Sequence, residues 1–362
     1  MYRPEAIINT SNLEHNVNYI QQYVGKDVTI MPVIKANAYG HGVVQICKIL
    51  YKCGIKGFCV ALLDEVLYLR QNNINHQILH LGSINHNFHK ILLDKNLLLT
   101  INDKEDILFL DKVGKANNHQ FRVHIKIDTG MTRLGILDED AKEIIDMLNS
   151  ATFIKVEGVY TQLSSADEDD QSNTILQREK FIEIANYFSR EFNSIKFKHF
   201  TPSAGILKDK DNHFNMVRPG LSLYGINNVS EHHPLKPVLS IKAPVCLIKN
   251  VKKGSTIGYN RTFENKTNMK MAIIQIGYAD AVPLEFSNNG YFEFEGHKLQ
   301  ILGKVSMDLI CVCIDGLDIK RGDKVTIFGG ELTKLEKVLK NMVSTPYSIL
   351  TGITSRVKRV YN

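Results

Sequence analysis

Eight short apolar runs, rich in β-branched residues, alternate with helical segments between residues 28 and 223, and this alternation constrains the fold more than any other feature. The runs span 28–34, 58–63, 77–81, 97–101, 122–128, 155–163, 196–201 and 216–223. Helical spacing marks 42–51, 64–70 and 138–148, and is weakest after the third and eighth runs. A further helix is expected to open at Ser11, with Leu13, Val17 and Ile20 on one face and Glu14 at the capping-box position. Eight such units are the arithmetic of an α/β fold of the (β/α)8 TIM-type barrel. A doubly wound sheet predicts about six strands and often a GxGxxG turn, which the sequence lacks.

From residue 231 the pattern changes to strands separated by glycine-containing turns, at 244–249, 271–276, 291–295, 298–302, 310–314 and 324–328. This is a C-terminal all-β domain, sandwich- or barrel-like, with one helical piece near 336–341. Two domains, 1–230 and 231–362, suit a chain of 362 residues, and the N-terminal strand is free to pack with the second. The net charge of +6 is spread along the chain, which argues against a nucleic-acid partner. No apolar stretch reaches the roughly 18 residues of a membrane span. The six cysteines form no CxxC pair or zinc-like grouping. Cys311 and Cys313 are expected to be buried thiols, and the setting a reducing, cytoplasmic one.

The chemistry starts in MPVIKANAYGHG (31–42). A lysine at the C-terminal end of the first barrel strand points into the barrel mouth, where such folds keep their active sites. Desolvated there, Lys35 can lose its proton and form a Schiff base with an aldehyde cofactor. Read by position alone it is equally a strand-end lysine reaching to solvent. Asn37, Tyr39, Gly40 and Gly42 tip the balance, because they form a polar, glycine-bearing turn into a helix that suits an anion.

VIKANAYGHG resembles the pyridoxal-5′-phosphate (PLP) attachment signature of alanine racemases. Further segments match that family in the same order. They are IKIDTGMTRLG (125–135), EGVYT followed by ADE (157–168), Ser203-Ala204, RPGLSLYG (218–225), GYNRTF (258–263), IGYAD (276–280), GKVSMD (303–308) and a terminal SRVKRVY. The resemblance implies that Lys35 holds PLP. Its phosphate would be held by Tyr39, Ser203, Tyr278 and the backbone of Gly220 and Leu221, with Ser355 as an extra hydroxyl. Arg218 would face the pyridine nitrogen; a guanidinium stays charged and has no proton to give, so the cofactor is a restrained electron sink. That favours simple removal and return of a proton. The two bases implied are Lys35 and Tyr259, the latter reaching in from the partner of a homodimer with shared active sites. Arg133 and the backbone of Met307 would bind the substrate carboxylate, and Lys126 matches a lysine this family often carbamylates.

Departures from the family pattern are Gln162 in place of histidine, Asn260 after the catalytic tyrosine, Ala281 after GYAD, Pro202 before Ser203 and Ser348 after Tyr347. Gln162 falls in the relay between tyrosine and arginine. The expected activity is a two-base interconversion of L- and D-alanine, supplying D-alanine for peptidoglycan. The rivals are a racemase of other amino acids, a barrel-type PLP decarboxylase and a non-catalytic PLP-binding barrel. Arg218 argues against the decarboxylase, which keeps a carboxylate at that nitrogen; the β domain with Tyr259 and Met307 argues against the carrier.

Overall fold

The computed structural model describes residues 3–87 and 89–362. A first strand, β1 (Glu5–Ile8), precedes eight parallel strands: β2 (Thr29–Ile30), β3 (Gly57–Val60), β4 (Gln77–His80), β5 (Leu97–Ile101), β6 (Phe121–Lys126), β7 (Ile154–Tyr160), β8 (Phe197–His199) and β9 (Met216–Val217). Strands β3 to β8 pair in sequence order and β2 pairs with β9. The ring closes through irregular backbone: Cys59 N–H donates to Pro32 O (2.8 Å), Ile34 N–H to Cys59 O (2.9 Å) and Arg218 N–H to Thr201 O (3.1 Å). Strands β3 and β5 are buried along their whole length, as expected of strands covered on both faces.

Helices follow most strands, the longest being Ser172–Glu191 and Thr10–Val24. After β4 there is only a 3-10 turn, Lys90–Leu93, and after β9 another, Leu221–Tyr224. The helix Thr10–Val24 packs against that last turn, where the buried Asn16 donates to Leu223 O (3.0 Å) and Lys236 O (2.8 Å). Leu13, Val17 and Ile20 are buried as expected, but the helix opens earlier than Ser11. Asn9 is the cap, its Oδ1 accepting from Asn12 N–H at 2.9 Å, so Glu14 is not at a capping-box position.

The strand β10 (Leu239–Val251) organises the second half. It pairs with β1, with Lys324–Phe328 and with Met269–Ile274. The sheet runs from Met269–Ile274 through Ile310–Cys313, His297–Leu302, Tyr291–Phe294 and Lys324–Phe328 back to β10, closing a barrel. Irregular register between Val245 and Leu247 helps β10 serve two neighbours. The terminal strand Lys358–Tyr361 pairs with β1 in parallel. The expected helix near 336–341 is the single turn Leu335–Val338. Cys311 and Cys313 are half-buried rather than buried, because they share the strand face that covers only a small cluster of Ile257, Met271 and Leu302. No helix among the described residues is long and apolar enough to cross a membrane.

Candidate active site

Lys35 follows directly on the last backbone bond between β2 and β3, at the C-terminal mouth of the barrel. Ala36, Asn37, Ala38 and Tyr39 then take φ of 51°, 56°, 54° and 50°, a left-handed turn. Gly40 N–H closes it on Ala36 O and Gly42 N–H on Asn37 O, both at 3.0 Å. Left-handed backbone costs on the order of 1–2 kcal/mol per L-residue, less for asparagine, so the surroundings must impose it. Asn37 Oδ1 accepts from Val43 N–H (2.8 Å) at the head of the helix Val43–Lys52. From the C-terminal strand, Arg359 Nε donates to Gly40 O (3.0 Å) and the Tyr361 hydroxyl to His41 O (2.9 Å).

The turn sends the buried Tyr39 toward Gly220: a Cβ built there would lie 2.9 Å from the Tyr39 hydroxyl, so any larger residue would have to displace that hydroxyl. Burial raises the pKa of Tyr39, which therefore stays a protonated donor. Gly220 N–H (2.8 Å), Ser222 N–H (3.1 Å) and the Ser222 hydroxyl (3.1 Å) converge on Ser203 Oγ. Leu221 opens the adjoining 3-10 turn. Neutral hydroxyls and backbone N–H groups gathered at one point are the donor set a phosphate needs.

Arg218 is buried, and its partners are neutral. It donates to His199 Nδ1 (2.5 Å), Thr161 O (2.8 Å) and Gln162 Oε1 (3.3 Å), and lies 4.9 Å from the centre of the Tyr160 ring. A guanidinium only donates, so His199 accepts at Nδ1 and carries its proton on Nε2, which faces His124 Nδ1 at 2.8 Å. Burial holds both imidazoles neutral, His124 down to about 3 and His199 well below its ordinary value. The Tyr160 ring stacks on His199 with centroids 4.7 Å apart.

Lys126 is also buried, with its ammonium 5.7 Å from the same ring. Burial, then the charges of Arg218 and Arg133, lower its amine to about 8 against the opposing pull of Asp128. Lys35 itself is exposed at the mouth, so desolvation there is only partial; it and Arg133 still lower the Lys35 amine, while Glu65 opposes them. Arg133 is exposed at the mouth, on a loop wrapped around Asp128. The Asp128 carboxylate accepts from the N–H groups of Gly130 (2.9 Å), Thr132 (3.0 Å) and Arg133 (3.0 Å). Burial alone would raise Asp128, but these bonds outweigh it and hold the carboxyl below its usual range. Four cations facing Asp128 and Glu65 make the mouth an anion-binding site. Together with the donors around Ser203 and a depressed lysine amine, they fit PLP and an amino-acid carboxylate.

The β-domain residues form a separate group. The backbones of Gly277 and Met307 touch, Tyr278 N–H donates to Ser306 O (3.0 Å), and the Tyr278 ring is 44% exposed. Tyr259 is 70% exposed and no contact within the chain joins it to Lys35 or Gln162 among the described residues. Ser355 is exposed, its carbonyl accepting from Arg3 (2.9 Å), and its hydroxyl is not joined to Ser203 or Gly220. Sequence reasoning missed His199, Tyr160, Ser222 and Gln177. The buried Gln177 donates to Thr129 Oγ1 (3.0 Å) and Gln162 O (3.2 Å), fixing the strand end that presents Gln162. The available signal was a polar-capable residue inside a barrel-strand run, as with Tyr160 and His199.

Two family models match: the alanine racemase N-terminal domain over residues 8–228 and the alanine racemase C-terminal domain over 238–361. The alanine racemase of Halothermothrix orenii is 35% identical, covering 98% of this chain and 96% of its own length. That of Borreliella burgdorferi is 36% identical, covering 98% and 96%. Among solved structures, the Clostridium difficile alanine racemase superposes with a TM-score of 0.93 at 32% identity, covering 100% of this chain and 96% of that one. The Bartonella henselae enzyme, solved with covalently bound pyridoxal phosphate, gives 0.90 at 31% identity with complete coverage of both chains. The barrel and the β domain agree with these matches, and the chain belongs to the alanine racemase family.

Proposed function

We propose that the chain interconverts L- and D-alanine, the reaction its family is named for, by moving one proton between two bases. When bound, PLP withdraws electrons from the substrate's α-carbon and so makes its proton removable. Lys35 Nζ takes or returns that proton on one face. The phenolic oxygen of Tyr259, supplied by a second copy of the chain, serves the other. Arg218 would stand at the cofactor's ring nitrogen without giving up a proton, which would limit the chemistry to proton exchange.

Tyr39, Ser203, Tyr278 and the N–H groups of Gly220 and Leu221 would hold the phosphate. Arg133 and the Met307 N–H hold the carboxylate, and Lys126, as its carbamate, orients Arg133. Ser355 is the weakest member of the set, since its hydroxyl points to no other site group. The observation that carries the reading is the split of the site. Lys35 and Arg218 gather at the barrel mouth, while Tyr259 stands 70% exposed on the β domain. A symmetric dimer would complete both sites at once. Exposed Leu284, Met307 and Leu309 on the β domain support such a contact, as do Leu62 and Leu137 on the loops after β3 and β6. The reading places the enzyme in the cytoplasm, making D-alanine for peptidoglycan, and its six free thiols support a reducing setting.

The test is a racemase assay of PLP-loaded protein over a panel of L-amino acids. Alanine should turn over fastest. A faster substrate would reassign the specificity, and inactivity on every amino acid would overturn the enzyme reading.

A further inference from the structure

We propose that Glu65 is a positioning residue: its carboxylate clamps the left-handed turn behind Lys35 to the loop after β3, and so fixes where the cofactor's lysine points. The proposal rests on the reading that Lys35 holds PLP. Glu65 sits in the first turn of the helix Leu63–Gln71, directly after β3. Its Oε1 accepts from Ala36 N–H at 2.6 Å, and its Oε2 from Ala61 N–H (2.9 Å) and Leu62 N–H (3.1 Å). One side chain thus ties together the mouth ends of two neighbouring barrel strands.

The need for the clamp follows from the turn. Any helical turn leaves N–H groups at its head without an internal partner, whatever its hand. Ala36 N–H is such a group, and Glu65 satisfies it with a charge-assisted bond. Ala36, Ala38 and Tyr39 hold φ near +50° although they carry Cβ atoms, and alanine has no side-chain group to pay that strain locally. Released, Ala36 would relax to negative φ and swing Lys35, its immediate neighbour, away from the mouth. The geometry also requires a carboxylate. Three N–H donors converge on two oxygens, so a glutamine of the same shape would turn its NH2 against donors on one side.

The test compares four PLP-loaded holoenzymes: wild type, Glu65→Gln, Ala36→Gly and the double variant. Borohydride reduction and peptide mapping of the wild type come first; an adduct on another lysine would overturn the underlying cofactor reading rather than the clamp. The readouts are the rate of PLP release and the circular dichroism of the bound cofactor's visible band, which a change in cofactor seating would alter. Glu65→Gln should release PLP about tenfold faster or more, the loss expected for a charge-assisted bond. Ala36→Gly alone should not release faster than wild type. In the double variant most of the loss should be recovered, because glycine takes φ near +50° without steric cost.

Release from Glu65→Gln at the wild-type rate would overturn the proposal, as would a double variant no better than Glu65→Gln. If Glu65→Gln yields no soluble holoenzyme, its recovery by Ala36→Gly supports the clamp and failure to recover overturns it.

Discussion

Arg218 and Gln162 are joined directly: the guanidinium Nη2 donates to Gln162 Oε1 at 3.3 Å while also donating to Thr161 O at 2.8 Å. Because arginine can only donate, the bond fixes which way the Gln162 amide faces. Its oxygen is committed to Arg218, and its NH2 donates weakly to Leu163 O at 3.5 Å.

A glutamine can stabilise a phenolate as donor, but unlike the family's usual histidine it cannot titrate. If Tyr259 of a second copy is the other base, as proposed, its activation should depend on whether the relay residue can take up a proton. Gln162→His should therefore lower the pH at which the L-enantiomer's proton is removed quickly, leaving PLP binding little changed. The measurement is the pH profile of kcat/KM for L-alanine; coincident ascending limbs would place Gln162 outside the relay.

Lys126, with its amine lowered to about 8, supplies far more neutral amine near neutrality than an ordinary lysine. Carbamylation consumes that neutral form. Protein equilibrated with 13C-bicarbonate should give a carbamate carbon resonance that grows as pH rises through about 8, and Lys126→Ala should lack it. A resonance that survives the substitution would assign the carbamate elsewhere.

The neutral imidazole of His124 makes a stability prediction with a definite sign. Its folded pKa of about 3 lies below the unfolded value near 6.5, so below pH 6.5 the unfolded chain binds the extra proton. Its contribution is complete above about pH 6.5 and is lost progressively as pH falls toward 3. His124→Gln keeps an acceptor for the His199 N–H and removes the titration. Denaturant unfolding between pH 5 and 6 should show a slope flatter by about 1 kcal/mol per pH unit; equal slopes would mean His124 does not titrate between the two states.

What was legible in the sequence, and what was not, has a physical basis. Strand β5 (LLLTI) announced itself because it is covered on both faces, which favours a continuous apolar run, whereas β6 (FRVHIK) and β7 (IKVEGVY) were legible through their β-branched residues despite the charged ones between them. The edges of the alternation were harder, since β2 and β9 are two residues each and the ring closes through irregular backbone. Residues grouped around Lys35 were legible through the resemblance, and the structure brings Tyr39, Ser203, Arg218 and Gly220 together. The left-handed turn was not, because nothing in Ala36 or Ala38 encodes positive φ; Glu65 and the C-terminal strand impose it from a distance. The His199–His124 pair was hidden for the same reason, as only the barrel's closure sets the two imidazoles 2.8 Å apart.

If Tyr259 acts across an interface, complementation follows. Lys35→Ala and Tyr259→Phe chains should each be inactive alone. Mixed under conditions that exchange subunits, they should regain part of the wild-type activity, since each mixed dimer contains one whole site. No recovery despite demonstrated exchange would count against a shared site.

The two-base claim is tested most directly by solvent deuterium exchange at the α-carbon in Tyr259→Phe, followed separately from each enantiomer. With Lys35 serving the D-enantiomer and Tyr259 the L-enantiomer, racemisation should fall by orders of magnitude while exchange into D-alanine persists and exchange into L-alanine is lost. Equal loss from both enantiomers would contradict the account, leaving a single base or a purely structural tyrosine.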